Sequence, residues 1–331
     1  MTTRLSKVAK FAGVSEATVS RVLHDKAGIG AATRDSVLTA LDVLGYQRPF
    51  KHRSEMARLV GLVLPDLHNP IFPAYAEAMA GALFRQGLVP VLCTRTSDGV
   101  SEAHYIEMLL ARQVAGIVFV AASYADAGPE QTAALRRRKL PVILINPADE
   151  NPDVPRVGVD DAVAVDLSLA HLQALGHRRI GVVAGPAGHV PSDRKVAEFL
   201  ARVNGPARRL VARTLFTMEG GQAATTRLLA DGATAVVCAS DALALGAVRA
   251  ARRQGLDVPR DLSVIGFDDS AYMPYTDPPL TTVRQPIETI GAAAVASLVA
   301  QIEGRKVGLD EQLYDPELIV RDSTGPALNR G

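Results

Sequence analysis

The sequence predicts an α/β protein in two parts: an N-terminal three-helix headpiece with a helix-turn-helix, and a two-lobed core built on parallel sheets. Two short amphipathic helices separated by a glycine lie within the first 25 residues, and from residue 59 short apolar runs alternate with amphipathic segments. This alternation occurs in two successive series, which indicates two lobes with a cleft between them. A chain of 331 residues with 48% hydrophobic residues is long enough for more than one packed core.

The first helical pair lies in the segment RLSKVAKFAGVSEATVSRVLHD, residues 4–25. Gly13 separates the two helices, because a residue without a Cβ turns the chain at little cost. Ser15 is a favourable N-cap, since its hydroxyl can accept a hydrogen bond from the amide of Ala17 or Thr18. Apolar residues recur at helical spacing on both sides of this turn, at Leu5, Val8, Ala9, Ala12, Val19, Val22 and Leu23. The pattern favours a DNA-binding helix-turn-helix; an ordinary helical hairpin with a solvated polar face is the alternative.

A third helix is expected over residues 31–44, with Gly45 at its end. Its buried stripe would consist of Val37, Leu38, Leu41 and Leu44. Three helices within residues 1–46 form a small headpiece, whose task would be to hold the second helix out toward a DNA major groove.

The charge of the chain is divided unevenly. Residues 1–58 contain ten Lys and Arg and five Asp and Glu, a net charge of +5, whereas the remaining residues carry −4 and the whole chain +1. A basic N-terminal segment on a mildly acidic body is typical of a nucleic-acid-binding module attached to a second domain.

The core begins with apolar runs that predict strands at 59–64, 88–93, 116–120 and 141–146, separated by helices at about 71–86, 101–112 and 129–138. A second series predicts strands at 179–184, 210–216, 235–239 and 262–267, with helices at about 160–175, 193–203, 219–230 and 241–254. The proline-bounded segment PLTTVRQP, residues 279–286, is expected to be extended and to cross back toward the first lobe. Continuous apolar strands joined by helices are typical of parallel sheets that helices cover on both faces.

Several motifs carry a family resemblance. The stretches AGVS followed by TVSRVL, and then TRDSVLTALDVLGY, resemble the lactose-repressor (LacI/GalR) family of bacterial transcription regulators. The resemblance continues through HLQALGHRRIGVVAGP, ASDALALGAVRAA and VIGFDDS, so it spans nearly the whole chain. The expected division is a headpiece over 1–46, a basic hinge or linker over 47–58, and a periplasmic-binding-protein-like core over 59–331. The first lobe of this core would comprise about 59–157 with 286–320, and the second about 158–285.

The second helix should present its N-terminal side chains to base edges. Its first residues are Glu16, Ala17 and Thr18, with Ser20 and Arg21 one turn further on. Arginine can bond both acceptors of guanine, glutamate can accept from cytosine, and alanine or the threonine methyl can contact a thymine methyl. The family resemblance implies base contacts at the positions of Glu16, Ala17 and Arg21. Glu16 is equally well explained as a first-turn acid that the helix dipole favours.

Other headpiece residues are expected to contact the DNA backbone. Lys7, Lys10, Ser15 and Arg34 are candidate phosphate contacts, which position a protein without specifying the sequence that it binds. The family resemblance places Leu5 near the backbone and the groove edge.

The linker YQRPFKHRSEMAR, residues 46–58, is basic and contains a proline. In the LacI family a hinge helix at this place wedges a leucine into the minor groove and bends the DNA. This linker lacks the Pro-Asn pair that usually precedes the hinge helix, and Met56 is the one apolar wedge near the expected place. Lys51 and Arg53 can occupy the minor groove electrostatically instead. A flexible basic linker is the remaining alternative.

A ligand site is expected in the crevice at the carboxyl ends of the strands. The residues in this region that match effector-contacting positions of the family are Phe72, Asn146, Phe216, Ser240 and Asp268. The family's effector-binding arginine falls in the segment DRKVAEF, where the spacing from Phe199 puts Lys195 on its position. Arg194, Lys195 or neither of them can take its role. A carboxylate among aromatic rings suits a polyhydroxylated ligand, because the oxygens accept from hydroxyls while the rings cover the apolar face of a sugar.

These assignments have structural alternatives. Phe72 and Phe216 can belong to the core, and Asp268 or Asp269 can cap the segment that follows. Asp241 is expected to be the N-cap of its own helix.

No catalytic, cofactor or metal motif stands out in the sequence. Gly28 and Gly30 follow no strand and lack the third glycine of a dinucleotide fingerprint, and no P-loop, H-E-x-x-H or C-x-x-C motif occurs. Cys93 and Cys238 each lie in an apolar run, so reduced core thiols are expected. We therefore expect no enzyme activity, no cofactor and no metal.

The sequence thus predicts a sequence-specific DNA-binding transcriptional regulator, specifically a repressor, that a sugar-like effector controls. The expected partners are a near-palindromic operator in double-stranded DNA, the effector and a second copy of the chain, since the tail after Asp322 lacks a leucine heptad for a tetramer. With no signal peptide and no apolar run of membrane-spanning length, a cytoplasmic, nucleoid-associated protein is expected. The alternative is a solute-binding or sensor protein without a DNA-binding role, although such a protein would normally carry a secretory signal.

Overall fold

The computed structural model describes residues 4–23, 29–44, 58–94, 101–121, 129–150 and 152–328. The chain divides into two compact units, residues 1–56 and 57–331. The predicted minor-groove residues Lys51, Arg53 and Met56 lie outside the described residues, as does the predicted helix end at Gly45.

The described residues of the N-terminal unit form three helices: α1 (Arg4–Ala12), α2 (Glu16–Leu23) and α3 (Ala31–Val43). One apolar side of each helix faces the other two, as the spacing of the apolar residues predicts. The core that results consists of Val8, Ala9, Val19, Val22, Val37, Ala40 and Leu41. The predicted burial of Leu44 is wrong: α3 ends before this residue, which is 42% exposed.

The turn between α1 and α2 has the predicted local chemistry. Gly13 has a φ of 65°, a conformation that glycine adopts without steric cost. The Ser15 hydroxyl accepts a hydrogen bond from the Thr18 amide at 3.1 Å, which confirms the N-cap. The Val14 amide closes the turn on the carbonyl of Ala9 at 3.0 Å.

The first of two six-stranded sheets in the C-terminal unit is parallel throughout. Its strands are β1 (Arg58–Leu64), β2 (Leu88–Thr94), β3 (Gly116–Val120), β4 (Val142–Ile145), β5 (Arg156–Val159) and β11 (Gln312–Tyr314), in the order β11-β5-β4-β3-β1-β2. The helices α4 (Ile71–Arg85), α5 (Glu102–Ala111) and α6 (Pro129–Arg137) connect its first four strands. The central strands β3 and β4 are buried along their whole length, as expected for a sheet that is covered on both faces.

The second sheet consists of β6 (Ile180–Ala184), β7 (Val211–Arg213), β8 (Ala235–Cys238), β9 (Ser263–Asp268), β10 (Thr281–Arg284) and β12 (Glu317–Ile319). Its order is β12-β10-β9-β8-β6-β7, and its strands are parallel except for β12, which is antiparallel to β10. The helices α7 (Asp161–Ala174), α8 (Val190–Arg202), α9 (Met218–Ala230) and α10 (Asp241–Arg253) alternate with these strands. The predicted α/β class and two-lobed parallel-sheet core are confirmed.

Some elements escaped the sequence prediction. The strand β5 has four residues, and β11 and β12 have three residues each, so none of them forms a long apolar run. The helix α11 (Ile287–Ile302) was also missed. The strand β7 ends at Arg213, three residues earlier than predicted, which leaves Phe216 in the loop before α9.

The chain passes between the lobes after β10, as the extended segment 279–286 predicts. On the far side, α11 packs on the first sheet, where the Gln301 side chain accepts from the Val142 amide at 3.2 Å and donates to the Val142 carbonyl at 3.0 Å. The chain then returns to the second sheet as β12, although the sequence placed residues up to 320 in the first lobe. The pairing of β12 with β10 joins residues more than 30 positions apart, so no local sequence pattern predicts it.

Both cysteines, Cys93 and Cys238, are buried and unbridged, as predicted. Burial raises the pKa of the Cys93 thiol to about 11. Within the part of the chain that the structure describes, no helix combines the length and the apolar character that a bilayer span requires.

Candidate functional sites

The helix α2 has a buried side and a solvent side. Val19 and Val22 lie in the headpiece core, while Glu16, Ala17 and Arg21 are exposed. The recognition helix of a helix-turn-helix is held by its buried side and contacts DNA with the other, and α2 has both sides. Its N-terminal turn is therefore available to base edges in a major groove.

The other predicted base-contact residues are less exposed. Thr18 and Ser20 are half-buried, and the Thr18 hydroxyl lies 2.9 Å from that of Ser15. Glu16 is the first residue of α2, where its negative charge is favourable at the helix N terminus. The same exposed position also allows a base contact.

The predicted backbone contacts occupy different helices of the headpiece. Lys7 is exposed on α1, and Arg34 is half-buried in the first turn of α3. Ser15 is exposed and caps α2. Leu5 is half-buried and packs against the headpiece core, so it also has a structural role.

A cavity of about 610 Å³ lies in the C-terminal unit, lined by residues that follow strands of both sheets. This volume is within the range of ~300–1,000 Å³ that is common for small-molecule sites. Six of the seven predicted effector-binding residues line it: Phe72, Asn146, Lys195, Phe216, Ser240 and Asp268. The seventh, Arg194, is not among the lining residues.

Arg194 points instead at Glu311, which precedes β11 of the first sheet. Its two terminal nitrogens donate to the two carboxylate oxygens at 2.9 and 2.7 Å. This bidentate contact raises the pKa of Arg194. Of the two bases that the sequence left open, Lys195 therefore lines the cavity, and Arg194 joins α8 to the first lobe.

A hydrogen-bonded network forms one wall of the cavity. The Tyr75 hydroxyl donates to Gln285 Oε1 at 2.9 Å, and Asn146 Nδ2 donates to the same oxygen at 2.9 Å. Gln285 Nε2 donates to Asp268 Oδ1 at 2.7 Å, while Asn146 Oδ1 accepts from the Val159 amide at 2.9 Å. The network links α4 and β4 of the first lobe to β9 of the second, with Gln285 as the residue between them.

The backbone at this wall is strained. Ala121, Asn146 and Asp268, which end or follow β3, β4 and β9, have φ values of 48°, 45° and 121°. Asparagine tolerates this region of φ better than most residues, whereas alanine and aspartate adopt it at a cost in free energy. Strain of this kind is typical of functional sites, where the surrounding contacts hold a side chain in a required direction.

The two buried aspartates near the second sheet have shifted pKa values. Burial raises the pKa of Asp268 well above its ordinary value, and the neighbouring Asp241 adds to the rise. Burial also raises the pKa of Asp241 to about 6, and hydrogen bonds from the Thr282 hydroxyl at 2.6 Å and the Ser270 amide at 2.8 Å oppose this rise. Asp268 therefore binds a proton more readily than an ordinary aspartate, and its protonated carboxyl group can both donate and accept.

The predicted N-cap at Asp241 is wrong. The Ser240 hydroxyl accepts from the Leu243 amide at 3.2 Å, so Ser240 caps α10 and Asp241 is its first residue. The Asp241 carboxylate is drawn instead to the Thr282 hydroxyl, which comes from a distant strand.

Asp269 differs from its neighbour Asp268 in having two cationic partners. Its carboxylate accepts from Arg284 at 2.7 Å and from Arg321 at 2.6 Å. This salt-bridge cluster stabilises the segment after β9, which leaves Asp268 directed toward the cavity.

Lys195 is almost fully buried at the cavity wall. Its ammonium group forms an ion pair with Asp161 and lies 3.8 Å from the centroid of the Phe267 ring. Burial raises the pKa of Asp161, and the Lys195 charge opposes that rise.

Phe216 lines the cavity from the second lobe and is 36% exposed. Its ring meets the His189 ring edge-on, with the centroids 5.1 Å apart. Gly185 is needed behind it, because a Cβ there would overlap the Phe216 ring. His189 Nδ1 accepts from the Ser192 amide at 3.3 Å and so caps α8. Burial, with the nearby Lys195 charge, lowers the pKa of His189 to about 4.

The polar lining residues that sequence reasoning missed include Tyr75, Asp161, His189 and Gln285. Asp161 follows β5 closely and Gln285 follows β10 directly, so the rule that ligands lie at the carboxyl ends of strands would have indicated both once those strands were recognised. Tyr75 lies within α4 and His189 is the N-cap of α8, so neither directly follows a strand.

Comparison with known proteins agrees with the two-unit architecture. Residues 4–49 match the family described as bacterial regulatory proteins, lacI family, and residues 169–324 match the periplasmic binding protein-like domain. The HTH-type transcriptional regulator reg1 of Streptomyces lividans is 49% identical, over 99% of this chain and 98% of that protein.

Two solved structures resemble the chain over nearly its full length. A transcriptional regulator CelR–cellobiose complex has a TM-score of 0.72 at 28% identity, with 97% of this chain and 99% of that chain covered. The lac repressor dimer bound to operator and the anti-inducer ONPF has a TM-score of 0.67 at 27% identity, with 98% and 100% covered. The helix-turn-helix unit, the two-sheet core and the full-length similarity to reg1 establish that this chain belongs to the LacI family of bacterial transcriptional regulators.

Proposed function

We propose that this protein is a dimeric repressor whose affinity for a near-palindromic operator is controlled by a sugar-like effector bound in the 610 Å³ cavity. The proposal rests on one observation: the same chain has an exposed polar face on α2 and a cavity lined by amide and carboxyl groups. In this assignment residues 1–46 bind DNA, 47–58 form the linker, and 59–331 bind the effector and the second subunit. The protein acts on the nucleoid of a bacterial cytoplasm.

The DNA-binding role is supported by the geometry of α2. Arg21 lies one turn beyond Glu16 and Ala17, so the three side chains can meet neighbouring base pairs in one groove. Lys7 and Arg34 then contact phosphates and set the position of the headpiece. The solved lac repressor dimer is bound to its operator, and this chain resembles it over 98% of its length.

The sugar-like effector is supported by the chemistry of the cavity. Asp268 and Asn146 present oxygen and nitrogen atoms to hydroxyl groups, and Phe72 and Phe216 supply apolar surface for ring C–H groups. The relative whose structure was solved with cellobiose has the same fold at a TM-score of 0.72.

The dimer is supported by apolar side chains on the surface of the core. Val89 and Leu92 are 38% and 48% exposed on β2, the edge strand of the first sheet, and Tyr272 and Tyr275 are 67% and 86% exposed in the second lobe. Exposed apolar groups of this kind are common at protein–protein contacts. Two paired chains would bring two headpieces to the two half-sites of a palindrome.

Control by the effector follows from the position of the cavity. Its lining comes from both lobes, and the Gln285 network crosses between them, so a ligand that prefers one lobe angle shifts the population toward that angle. By linkage, the effector changes operator affinity by the factor by which the operator changes effector affinity.

Selection of the full chain against a pool of random duplexes tests the proposal, and it should enrich an inverted repeat. Fluorescence anisotropy with that duplex should show affinity that falls steeply with salt, because bound counterions are released. Arg21→Ala should lose about 1–3 kcal/mol of binding free energy at the selected site. The control Arg253→Ala removes an exposed arginine of α10 and should bind like the wild type.

Three results would reject parts of the proposal. The absence of an enriched inverted repeat, or wild-type affinity in Arg21→Ala, rejects the assignment of α2. Asp268→Asn should remove the response of operator affinity to a sugar that acts on the wild type; loss of operator binding in this variant would show a structural role instead.

A further inference from the structure

We propose that the cavity accepts uncharged polyhydroxylated ligands and rejects phosphorylated or carboxylated ones, because Asp161 already neutralises the cation on its wall. This inference rests on the proposed role of the cavity as the effector site and narrows the chemical class of the effector. Asp161 is then a specificity-determining residue.

The described residues that line the cavity provide acidic groups in excess. Lys195 is the single lysine or arginine among them, whereas four aspartates, Asp66, Asp149, Asp161 and Asp268, belong to the lining. His189 adds no positive charge at neutral pH, because its Nδ1 accepts a hydrogen bond from the Ser192 amide and its pKa is about 4. An anionic ligand would therefore enter a region with no surplus of positive charge.

Lys195 is held where it is by two partners. The ammonium group pairs with Asp161, lies over the face of Phe267, and belongs to a residue that is only 6% exposed. If Lys195 turned to a ligand anion, the Asp161 carboxylate, which is 4% exposed, would be left as a buried charge without its partner. An unpaired buried charge is strongly unfavourable, so the ion pair opposes this rearrangement.

Two arginines of the described residues, one beside Lys195 and one at the end of β7, are also engaged. Arg194, next to Lys195 in α8, forms the bidentate contact with Glu311. Arg213, at the end of β7, pairs with Asp193 at 2.6 Å and donates to the Gly185 and Pro186 carbonyls at 3.2 Å. Neither arginine lines the cavity, so neither is in place to meet a phosphate or carboxylate on the ligand.

A neutral polyol meets no such obstacle. Its hydroxyl groups can donate to carboxylate oxygens and accept from the protonated form of Asp268, and burying them needs no counter-charge. The phosphate or carboxylate of an anionic sugar would instead lie near the Asp161 carboxylate, whose cation Lys195 is already paired. The discrimination thus comes from repulsion and unpaired charge against the wrong ligand as much as from attraction to the right one.

Thermal-shift titrations of the full chain near neutral pH with matched ligand pairs test this inference. The pairs are cellobiose and cellobiose 6-phosphate, glucose and glucose 6-phosphate, and ribose and ribose 5-phosphate, with inorganic phosphate as a separate probe. In the wild type, any neutral sugar that binds should bind more tightly than its phosphate by on the order of 10- to 100-fold. Equal or tighter binding of the phosphate would overturn the inference.

Asp161→Asn releases Lys195 without changing the shape of the site. This variant should gain affinity for inorganic phosphate and for the sugar phosphates by on the order of 10- to 100-fold, because a charge-assisted hydrogen bond becomes available. The double variant D161N/K195Q lacks both charges and should lose that gain. A folded D161N protein that gains no affinity for phosphate would overturn the inference.

The two proposals fail in different ways. If no neutral sugar and no sugar phosphate stabilises the wild type, the sugar-effector proposal is rejected. The affinities of the wild type and of D161N for inorganic phosphate still test whether Asp161 excludes anions from the cavity. If Asp161→Asn does not fold, Asp161→Ser leaves a smaller neutral side chain and takes its place, and the wild-type ligand pairs remain decisive.

Discussion

The Gln285 network allows a stability prediction that can be worked from the structure. Gln285→Leu keeps a side chain of similar size and removes both the amide oxygen and the amide nitrogen. The glutamine is 6% exposed, so water has little access to the groups that lose their partner. The oxygen accepts from Tyr75 at 2.9 Å and Asn146 at 2.9 Å, and the nitrogen donates to Asp268 at 2.7 Å.

The expected loss is about 2–4 kcal/mol in the free energy of unfolding. A buried polar group left without a partner costs ~1–3 kcal/mol, and three groups lose a hydrogen bond here. Two circumstances reduce the total. Asn146 and Tyr75 keep the 3.2 Å hydrogen bond between them, and Asp268 can avoid an unpaired charge by binding a proton, as its raised pKa indicates.

Urea unfolding of the full chain, followed by circular dichroism, measures this loss. The matched control is Gln254→Leu, since Gln254 is exposed at the end of α10 and its replacement should change stability by no more than ~0.5 kcal/mol. A double-mutant cycle of Gln285→Leu with Tyr75→Phe should give a coupling energy of about 1 kcal/mol, because each substitution removes the same hydrogen bond.

Two outcomes would refute this reasoning. If Gln285→Leu is as stable as Gln254→Leu, the network does not stabilise the fold. If the effects of Gln285→Leu and Tyr75→Phe simply add, the two side chains are not coupled, and the hydrogen bond between them contributes nothing measurable.

Two further predictions concern the loop around β6. Because burial lowers the pKa of His189 from 6.5 to about 4, the unfolded chain binds a proton in this interval that the folded chain does not, so the free energy of unfolding should fall as the pH drops from 6.5 to 4. His189→Asn can still cap α8 and should flatten this dependence in urea unfolding, whereas the exposed control His68→Asn should keep the wild-type slope; equal slopes in all three would contradict the prediction. Gly185→Ala should lose about 1–3 kcal/mol in the same assay, because its Cβ overlaps the Phe216 ring. The control Gly308→Ala has no atom within 4 Å of its Cβ and should lose little stability. If Gly185→Ala loses no more than this control, the Phe216 ring moves aside easily.

Much of the fold could be predicted because its signals are local. The turn at Gly13 and the cap at Ser15 each depend on atoms within a few residues of one another. The apolar runs that became β3 and β4 are buried along their whole length, so every residue in them is apolar or glycine. Short edge strands such as β11 and β12 lack that signal, because three residues are too few to form an apolar run.

The candidate cavity could be predicted in outline but not in detail. The rule that ligands lie at the carboxyl ends of strands indicated Asn146 and Asp268, and both line the cavity. The same rule could not choose between Arg194 and Lys195, which are adjacent on one helix. The choice depends on Glu311, which attracts the arginine from 117 residues away in the sequence.

The sequence by itself determined the class of the protein: helix and strand periodicities, one helix-turn-helix, and the order of two α/β series, because each depends on neighbours three, four or two positions away. Only the tertiary structure decided which polar groups meet in the cavity. Tyr75 and Gln285 are 210 residues apart and Asp161 and Lys195 are 34 apart. Such pairs form when packing of the apolar sheets and helices brings distant segments together, and the cost of leaving a buried polar group unpaired then selects the partner of each one.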